Sequence, residues 1–269
     1  YFSAPVNLAI RWLERLLAHG SDAICVLSRQ QAAEMTGRFR VAAPEKVYIV
    51  PLGMDLDPFQ RIAPAPAGDR LVVGWLGRFV PVKDIPLLAA VVRETLGRTD
   101  RVRFLIAGDG PERAAVEALA AEFGPGRCEW MGWRQDVADV LSPCHVLLQT
   151  SRNEGTPVAL IQGMAAGRPF VSTPAGGVVD MVAPPVVNKA DGCRWFSNGV
   201  LAPPAPAALA SALIELAENP GLATRMGLAA SRFATANYTS QALLESLDQL
   251  YSRLLEKRPA IARLEPKEI

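Results

Sequence analysis

Histidine is scarce in this chain, and the usual zinc-binding patterns are missing. The 269 residues contain two histidines and four cysteines. No HxH or HExxH pattern and no CxxC spacing occurs, which argues against a zinc site. Cys25, Cys128, Cys144 and Cys193 lie mostly in apolar segments, so we interpret them as reduced core thiols of a cytoplasmic protein.

Runs of one charge and long apolar segments are also missing. The chain has 28 Lys and Arg residues against 27 Asp and Glu, a net charge of +1. Without a basic tract, nucleic acid is not expected as a partner. No apolar run is long enough for a signal peptide or a membrane span. The hydrophobic content of 50% is typical of a globular α/β protein of one or two domains.

The most informative stretch is Ser151–Gly177, which follows a predicted strand at His145–Thr150. Glu154 lies in the loop, and Pro157 suits the start of a helix predicted over Val158–Ala166, because proline has no N–H to leave unpaired there. Loop amides and the positive end of the helix dipole therefore meet where a strand ends. Open α/β sheets bind their ligands at such points, and an acid there would face ligand hydroxyls.

A second strand-to-helix loop carries two cations. The segment GRFVPVKD follows a predicted strand at Leu71–Leu76 and contains Arg78 and Lys83. Two cations there suit a diphosphate, because they neutralise it without a metal ion. The alternative is that both are ordinary solvated loop charges. A third tight turn, Gly108–Pro111, follows a predicted strand at Val102–Ala107.

Taken in order, these segments resemble the C-terminal half of retaining glycosyltransferases of the GT-B fold, glycosyltransferase family 4. The matching elements are GRFVPVK, FLIAGDGPER, GWRQDVADVLSPCHVLLQTS, NEGTPVALIQGMAAGRPFVST and AGGVVD, over residues 70 to 182, and the likeness extends to about residue 257. Each motif alone is only weakly specific for the family, but five of them in the family's order are specific. The resemblance implies an α/β fold, a Rossmann-like parallel sheet flanked by helices, with a truncated Rossmann-like N-terminal domain.

The resemblance also implies a site for a nucleotide-sugar donor. Arg78 and Lys83 match the pair that grips the donor diphosphate in place of a metal ion, and would stabilise charge on the leaving phosphate. Glu154 matches the first acid of the family's Glu-x7-Glu signature, which accepts hydrogen bonds from the donor sugar. These three form the expected catalytic set. The other expected donor-binding residues form two groups. The group that would border the diphosphate and base is Gly77, Met131, Gly132, Trp133 and Arg134. The group that would line the sugar, phosphate and ribose is Gly155, Thr156, Pro157, Val158 and Gln162.

The chain departs from the family at the second signature position. Gln162 stands eight residues after Glu154, where the family has a second Glu. An amide has one acceptor oxygen and two donors, so its bonds to the ribose would be neutral and weaker. Weaker donor binding is therefore expected. Two alternatives stay open: a catalytically inactive nucleotide-sugar-binding module, or a sugar-nucleotide epimerase of the GT-B fold.

The main functional expectation is a retaining glycosyltransferase that moves a sugar from a UDP- or GDP-sugar to an acceptor hydroxyl. The acceptor is open among a glycan, a lipid-linked sugar and a small molecule. No metal ion and no cofactor are expected, and the nucleotide-sugar donor is the substrate. A cytoplasmic location is expected, and peripheral contact with the inner membrane face through a missing domain is a further alternative.

The expected domain organisation follows the same likeness. The chain opens at Tyr1 partway through a predicted helix, so we expect most of the acceptor-binding domain to be missing and the chain alone to be inactive. The expected parts are the end of that domain at 1–58, a Pro/Ala linker at 59–69, the donor domain at 70–237, a bracing terminal helix at 238–258 and a tail at 259–269.

Three further predictions concern packing. Helices predicted at Ala207–Glu218 and Gln241–Lys257 finish the fold. Pro184–Asp191 is predicted as a loop. His145 stands at the buried start of a strand, where we expect a hydrogen-bonded structural histidine rather than a catalytic one.

Overall fold

A computed structural model describes residues 4–66 and 68–257, so the tail predicted at 259–269 lies outside the described residues. The chain divides into two compact units. The larger unit runs from Met54 to Thr239, and the smaller unit comprises the described residues before and after it.

The smaller unit contains a short parallel sheet. Its elements before the larger unit are α1 (Ala4–Gly20), β1 (Ile24–Val26), α2 (Arg29–Ala33) and β2 (Val47–Ile49), with β1 and β2 parallel. Helix α2 continues as a π-helical turn at Glu34–Arg38. Cys25 is exposed, so its assignment as a core thiol is wrong, whereas the other three cysteines are buried and all four are free.

The larger unit begins with a regular alternation of helices and strands and ends with four successive strands followed by two helices. Its elements are α3 (Asp57–Gln60), β3 (Leu71–Leu76), α4 (Ile85–Arg98), β4 (Val102–Ala107), α5 (Arg113–Phe123), β5 (Cys128–Trp130), α6 (Val137–Leu141), β6 (Val146–Gln149), α7 (Val158–Ala165), β7 (Phe170–Ser172), β8 (Val187–Asn188), β9 (Arg194–Trp195), β10 (Gly199–Leu201), α8 (Pro206–Glu218) and α9 (Pro220–Asn237). Helix α10 (Ser240–Lys257) follows and belongs to the smaller unit.

The sheet of the larger unit has the order β5-β4-β3-β6-β7-β10-β9-β8. The first six strands of this order pair in parallel, and β9 and β8 add antiparallel edges. The chain builds outward from β3 through β4 to β5, then returns to the other side of β3 with β6 and β7. Strand order therefore reverses between β3 and β6, which is the topological switch point where open α/β sheets bind ligands. The predicted α/β class with a largely parallel sheet is confirmed.

Helices cover both faces of this sheet. On one face, Trp75 of β3 and Phe104 of β4 are buried with residues of α4, α5 and α8 in one apolar cluster. On the other face, α7 packs closely, because a Cβ built on Gly163 would lie 2.1 Å from the side chain of Leu147. Both faces of β3 and β4 are thus buried, which explains their nearly continuous apolar sequences.

Helix α9 was not predicted from the sequence, and neither was strand β8 in the predicted loop at Pro184–Asp191. Helix α9 has 18 residues and packs against α7. The close approach is at Gly227, where a Cβ would lie 2.2 Å from the carbonyl oxygen of Gly167. At the ends of the larger unit, Met54 forms a parallel bridge with Thr239, and the Met54 N–H donates to the Tyr238 carbonyl at 3.0 Å.

Candidate functional site

The loops after β3 and β6 leave the sheet on either side of the switch point and are tied together by hydrogen bonds. The indole N–H of Trp75 donates to Thr150 Oγ1 at 3.2 Å, and the Thr150 hydroxyl donates to the Lys83 carbonyl at 2.9 Å. The Arg152 N–H donates to the Val82 carbonyl at 2.8 Å. The two loops therefore position their side chains as one structure.

Lys83 and Glu154, 71 residues apart, meet in a direct ion pair. Lys83 Nζ lies 2.6 Å from Glu154 Oε1, and the two side chains are 21% and 12% exposed. The buried Ser151 donates its hydroxyl to the same oxygen at 2.5 Å. The carbonyl of Ser151 in turn accepts from Thr173 Oγ1 at 2.6 Å, which fixes the serine in place. The sequence predicted both charges at one site but neither their pairing nor Ser151.

Arg78 is exposed, and its guanidinium makes no hydrogen bond or ion pair with any residue the structure describes. Its neighbour Phe79 is fully buried, and the Phe79 N–H donates to the Asp109 carbonyl at 2.8 Å. A Cβ on Gly110 would lie 2.6 Å from the Phe79 carbonyl oxygen. Phe79 and the turn Gly108–Pro111 after β4 thus anchor the loop. The guanidinium of Arg78 remains available to an anion.

Glycines hold these loops in close contact. A Cβ on Gly108 would lie 1.9 Å from the carbonyl oxygen of Gly77, and one on Gly176 would lie 1.8 Å from that of Glu154. Gly176 has a φ of +56°, and the Gly177 N–H donates to the Glu154 carbonyl at 3.1 Å. The glycine pair after β7 therefore fixes the backbone of Glu154, and a larger residue at Gly176 would displace it.

Helix α7 starts beside Glu154 in the sequence and carries no side-chain cap. Its first backbone N–H groups and its dipole favour a negatively charged group. Of the predicted residues here, Gly155 and Val158 are exposed, and Thr156 is half-buried. Pro157 is buried and forms the N-cap. Gln162 is half-buried on the first turns of α7, and its amide makes no hydrogen bond with another described residue.

The predicted base-binding segment, residues 131–134, follows β5 and is hydrogen-bonded to β4 and to the turn after β4. The Met131 N–H donates to the Ile106 carbonyl at 2.9 Å, and the Gly108 N–H donates to the Gly132 carbonyl at 2.8 Å. Trp133 is 62% exposed, with its indole uncovered. Among the described residues, no hydrogen bond joins this segment to 151–162, although both follow strands of the same sheet.

The side chain of Arg134 is paired with the nearby Asp136. Its Nε donates to Asp136 Oδ1 at 2.8 Å, and the same pair makes a second, very short contact. The hydrogen bond from Arg134 lowers the pKa of Asp136 to about 2. The pairing occupies the Arg134 side chain but leaves its main chain available to border the base.

Asp84 is a further residue of the site, one that the sequence did not mark as functional. It has a φ of +52° and caps α4, because its Oδ1 accepts from the Leu87 N–H at 3.2 Å. Arg152 binds the same carboxylate through Nε at 2.8 Å and Nη2 at 3.1 Å. An aspartate directly before an apolar helix is a recognisable N-cap signal, but the arginine partner comes from a distant loop.

The described part of the chain offers neither a metal-ligand cluster nor a membrane-spanning helix. Within residues 4–66 and 68–257, no group of three or more His, Cys, Asp or Glu side chains could hold a metal ion. Across the same residues, no helix combines the length and the apolar character needed to cross a bilayer.

At the opposite edge of the sheet, where the strands begin, lies a cavity of about 1080 Å³. Arg168, 3% exposed, lines it and donates to the carbonyls of Leu141, Ala63 and Ser142 at 3.4, 2.9 and 3.1 Å. It pairs with no carboxylate among the described residues, and burial lowers its pKa.

His145 lines the same cavity. Its Nδ1 accepts from the Val72 N–H at 3.0 Å, and its Nε2 lies 3.0 Å from the Pro66 carbonyl. An imidazole with one nitrogen accepting and the other donating is neutral. The prediction of a hydrogen-bonded structural histidine is confirmed.

Comparison with known proteins adds a family. The family model described as glycosyl transferases group 1 matches residues 70–219. One of the subunits of phosphatidylinositol N-acetylglucosaminyltransferase from Arabidopsis thaliana is 28% identical over 184 residues, which cover 66% of this chain and 40% of the relative. The chain therefore spans less than half the length of this curated relative.

Solved structures share the fold. Sucrose-phosphate synthase from Thermosynechococcus elongatus superposes with a TM-score of 0.74 at 24% identity, covering 92% of this chain and 62% of that one. HepE from Anabaena, solved in complex with UDP and glucose, gives a TM-score of 0.69 at 18% identity, covering 90% of this chain and 67% of its own.

Proposed function

Because this chain belongs to the glycosyl transferases group 1 family, we propose that its larger unit binds a nucleotide-sugar donor at the edge where the parallel strands end. We further propose that the donor sugar is transferred to an acceptor hydroxyl with retention of configuration. The observation that carries this proposal is the convergence of Arg78, Lys83 and Glu154 on the loops that flank the switch point between β3 and β6.

Each of the three side chains has a role that its surroundings support. Arg78 has no partner among the described residues and lies on a loop anchored by the buried Phe79, so it can bind a phosphate without first losing another contact. Lys83 brings a second cation, and the first turn of α7 adds N–H groups that favour an anion. We propose that these groups neutralise the donor diphosphate without a metal ion.

Glu154 is proposed to orient the donor sugar. Its Oε1 is occupied by Lys83 and Ser151, while no hydrogen bond from a described residue reaches its Oε2. A carboxylate oxygen of this kind accepts strongly from hydroxyl groups. Glu154 therefore serves as a positioning acceptor for the sugar and not as a nucleophile.

The proposed reaction is a same-face substitution at the anomeric carbon. The bond between that carbon and the phosphate oxygen breaks, and a bond to the acceptor oxygen forms on the same side of the sugar. The acceptor hydroxyl gives its proton to the departing phosphate. Arg78 and Lys83 stabilise the negative charge that develops on this leaving group.

A catalytically inactive donor-binding module is the second candidate, and Gln162 is the observation that favours it. The half-buried amide has no partner among the described residues and replaces the second acid of the family signature. A neutral acceptor at this point would bind the ribose less tightly than a carboxylate. An inactive module would bind donor yet leave it unchanged when all acceptor classes are offered.

Calorimetry with UDP and GDP tests the proposal, with UDP first because HepE was solved with UDP. Arg78→Ala should weaken UDP binding by about 1.5–3 kcal/mol, the range for a hydrogen bond to a charged group, and leave uridine binding unchanged. The matched control is Arg93→Ala, which removes an equal charge from α4, where Arg93 pairs with Glu122. Equal UDP affinities for the two variants and the parent would contradict the proposal.

A further inference from the structure

Lys83 faces two anions that compete for it once a donor binds. Its ammonium lies 2.6 Å from Glu154 Oε1, and both side chains are largely buried. The proposed function gives the same ammonium a second task, which is to bind the donor diphosphate. The competition described next rests on that proposed function.

Glu154 cannot follow Lys83 towards a phosphate. Ser151 holds the same Oε1, and Thr173 holds the Ser151 carbonyl. The Gly176–Gly177 turn contacts the Glu154 backbone, with room for no larger residue at Gly176. The carboxylate therefore stays in place while the long, flexible lysine side chain can move.

We propose that this ion pair makes the site discriminate between an intact nucleotide-sugar and the spent nucleoside diphosphate. When a diphosphate draws Lys83 away, a largely buried carboxylate loses its cation, which is unfavourable because little water can replace it. An intact donor offsets this loss, because its sugar hydroxyls donate to the freed carboxylate. A bare nucleoside diphosphate offers no such donor.

The consequence is a site that releases its product. After transfer, the sugar has left the carboxylate, and Lys83 is again drawn back to Glu154. The ion pair therefore weakens nucleoside diphosphate binding more than donor binding. Glu154 acts on nucleotide affinity through Lys83, in addition to its contact with the sugar.

A double-mutant cycle on UDP binding tests this inference. Glu154→Gln frees Lys83 and should tighten UDP binding about three- to tenfold, the scale of one modest ionic contact. In a Lys83→Met background the same substitution should tighten UDP binding distinctly less, because no lysine remains to be freed. Thermal melts of all four proteins check that each is folded.

Simple charge repulsion predicts the opposite coupling, so the cycle separates the two explanations. Without Lys83, the negative charge of Glu154 would repel the diphosphate at least as strongly, and Glu154→Gln would help as much or more. Asp109→Asn is the matched control, since Asp109 is another carboxylate at this edge and contacts Arg113 rather than Lys83. It should change UDP affinity by less than about twofold at physiological salt.

The donor arm uses UDP-glucose and UDP-N-acetylglucosamine as probes. For whichever of them the parent binds more tightly than UDP, Glu154→Gln should reduce or reverse that preference. If the parent binds neither UDP nor GDP, the proposed function fails and this inference falls with it. If the parent binds UDP but Glu154→Gln weakens binding, leaves it unchanged, or tightens it equally with Lys83 absent, only this inference is overturned.

Discussion

Polar and charged side chains have different kinds of partner at the two ends of the strands in the eight-stranded sheet. Where the strands begin, the buried Arg168 is bound by three backbone carbonyls, and both nitrogens of His145 are engaged with backbone groups. Where the strands end, Arg78 has no partner among the described residues, and Lys83 is paired with Glu154, a side chain from another loop. Charge bound by main chain supports the fold, whereas charge left free or exchangeable can serve a ligand.

This difference has a physical basis in what each partner can do. A backbone carbonyl cannot leave, so a guanidinium that binds three of them joins segments permanently. A carboxylate on a side chain can exchange its cation for another donor. Four predictions, from the largest expected effect to the smallest, either break or sharpen this comparison.

Arg168→Met should destabilise the fold by about 3 kcal/mol, because it removes three hydrogen bonds from a buried charged group to backbone carbonyls while keeping an apolar stem. UDP binding by the folded variant should be unchanged. Urea denaturation measures the first effect and calorimetry the second. Arg78→Met is the matched control at the other edge and should show the reverse pattern, with little loss of stability. A stable Arg168→Met would remove the basis for the comparison.

Gly176→Ala should cost about 2–3 kcal/mol of stability, because an alanine strains the left-handed backbone and its Cβ meets the Glu154 carbonyl. Gly124→Ala separates the two causes. Gly124 also has positive φ, at +73°, but a Cβ added to it would meet no atom within 4 Å beyond its chain neighbours. Its ψ of 165° also strains an alanine, by about 1–3 kcal/mol, but the variant should spare UDP binding, whereas Gly176→Ala should weaken it. Equal UDP affinities of the two variants would mean that Gly176 does not position Glu154.

Gln162→Glu should strengthen UDP binding by about 1 kcal/mol, because a carboxylate accepts two ribose hydroxyls more strongly than an amide does. Repulsion from the diphosphate and from Glu154 reduces the gain. The control ligand is 2′,3′-dideoxy-UDP, for which the parent and the variant should differ little. An equal gain with the dideoxy ligand would show that Gln162 does not face the ribose.

His145→Gln should alter the pH dependence of stability by less than about 1 kcal/mol. Burial lowers the pKa of His145 below its ordinary value of 6.5, so the unfolded chain takes up a proton first as the pH falls. The parent should therefore lose stability below about pH 6.5. Glutamine can accept and donate the same two hydrogen bonds without titrating. Thermal melts between about pH 7.5 and 5.5 should show a smaller loss in the variant, and parallel curves would contradict the assignment.

Elements with local signals were predictable from the sequence. The bounds of β3 and β4 agree with the structure, because each is a short apolar run closed by a glycine turn. Helix α9 was missed because its buried face consists mostly of alanine and glycine, with Met226 as its one large residue, and so gives a weak periodic signal. The exposed Cys25 was misassigned because a strand in a two-stranded sheet looks apolar without being covered.

Contacts across the sheet could not be predicted in the same way. The sequence placed Lys83 and Glu154 on separate loops, but their pairing depends on β6 lying beside β3, and that strand order has no local signal. Ser151 was missed for the same reason. Its hydroxyl donates to the Glu154 oxygen that also accepts from Lys83, and Lys83 comes from another loop. The glycines in the sequence predicted where the chain turns. Only the structure shows which backbone carbonyl lies against each glycine.

The bridge between Met54 and Thr239 has a practical consequence for protein engineering. Because the Met54 N–H donates to the Tyr238 carbonyl, the polypeptide enters and leaves the larger unit at neighbouring points. A segment whose ends meet can be grafted into a surface loop of a carrier protein without stretching either, and joining its ends with a short linker permits new termini elsewhere. The stretch 54–239 is thus suited to use as a transplantable cassette.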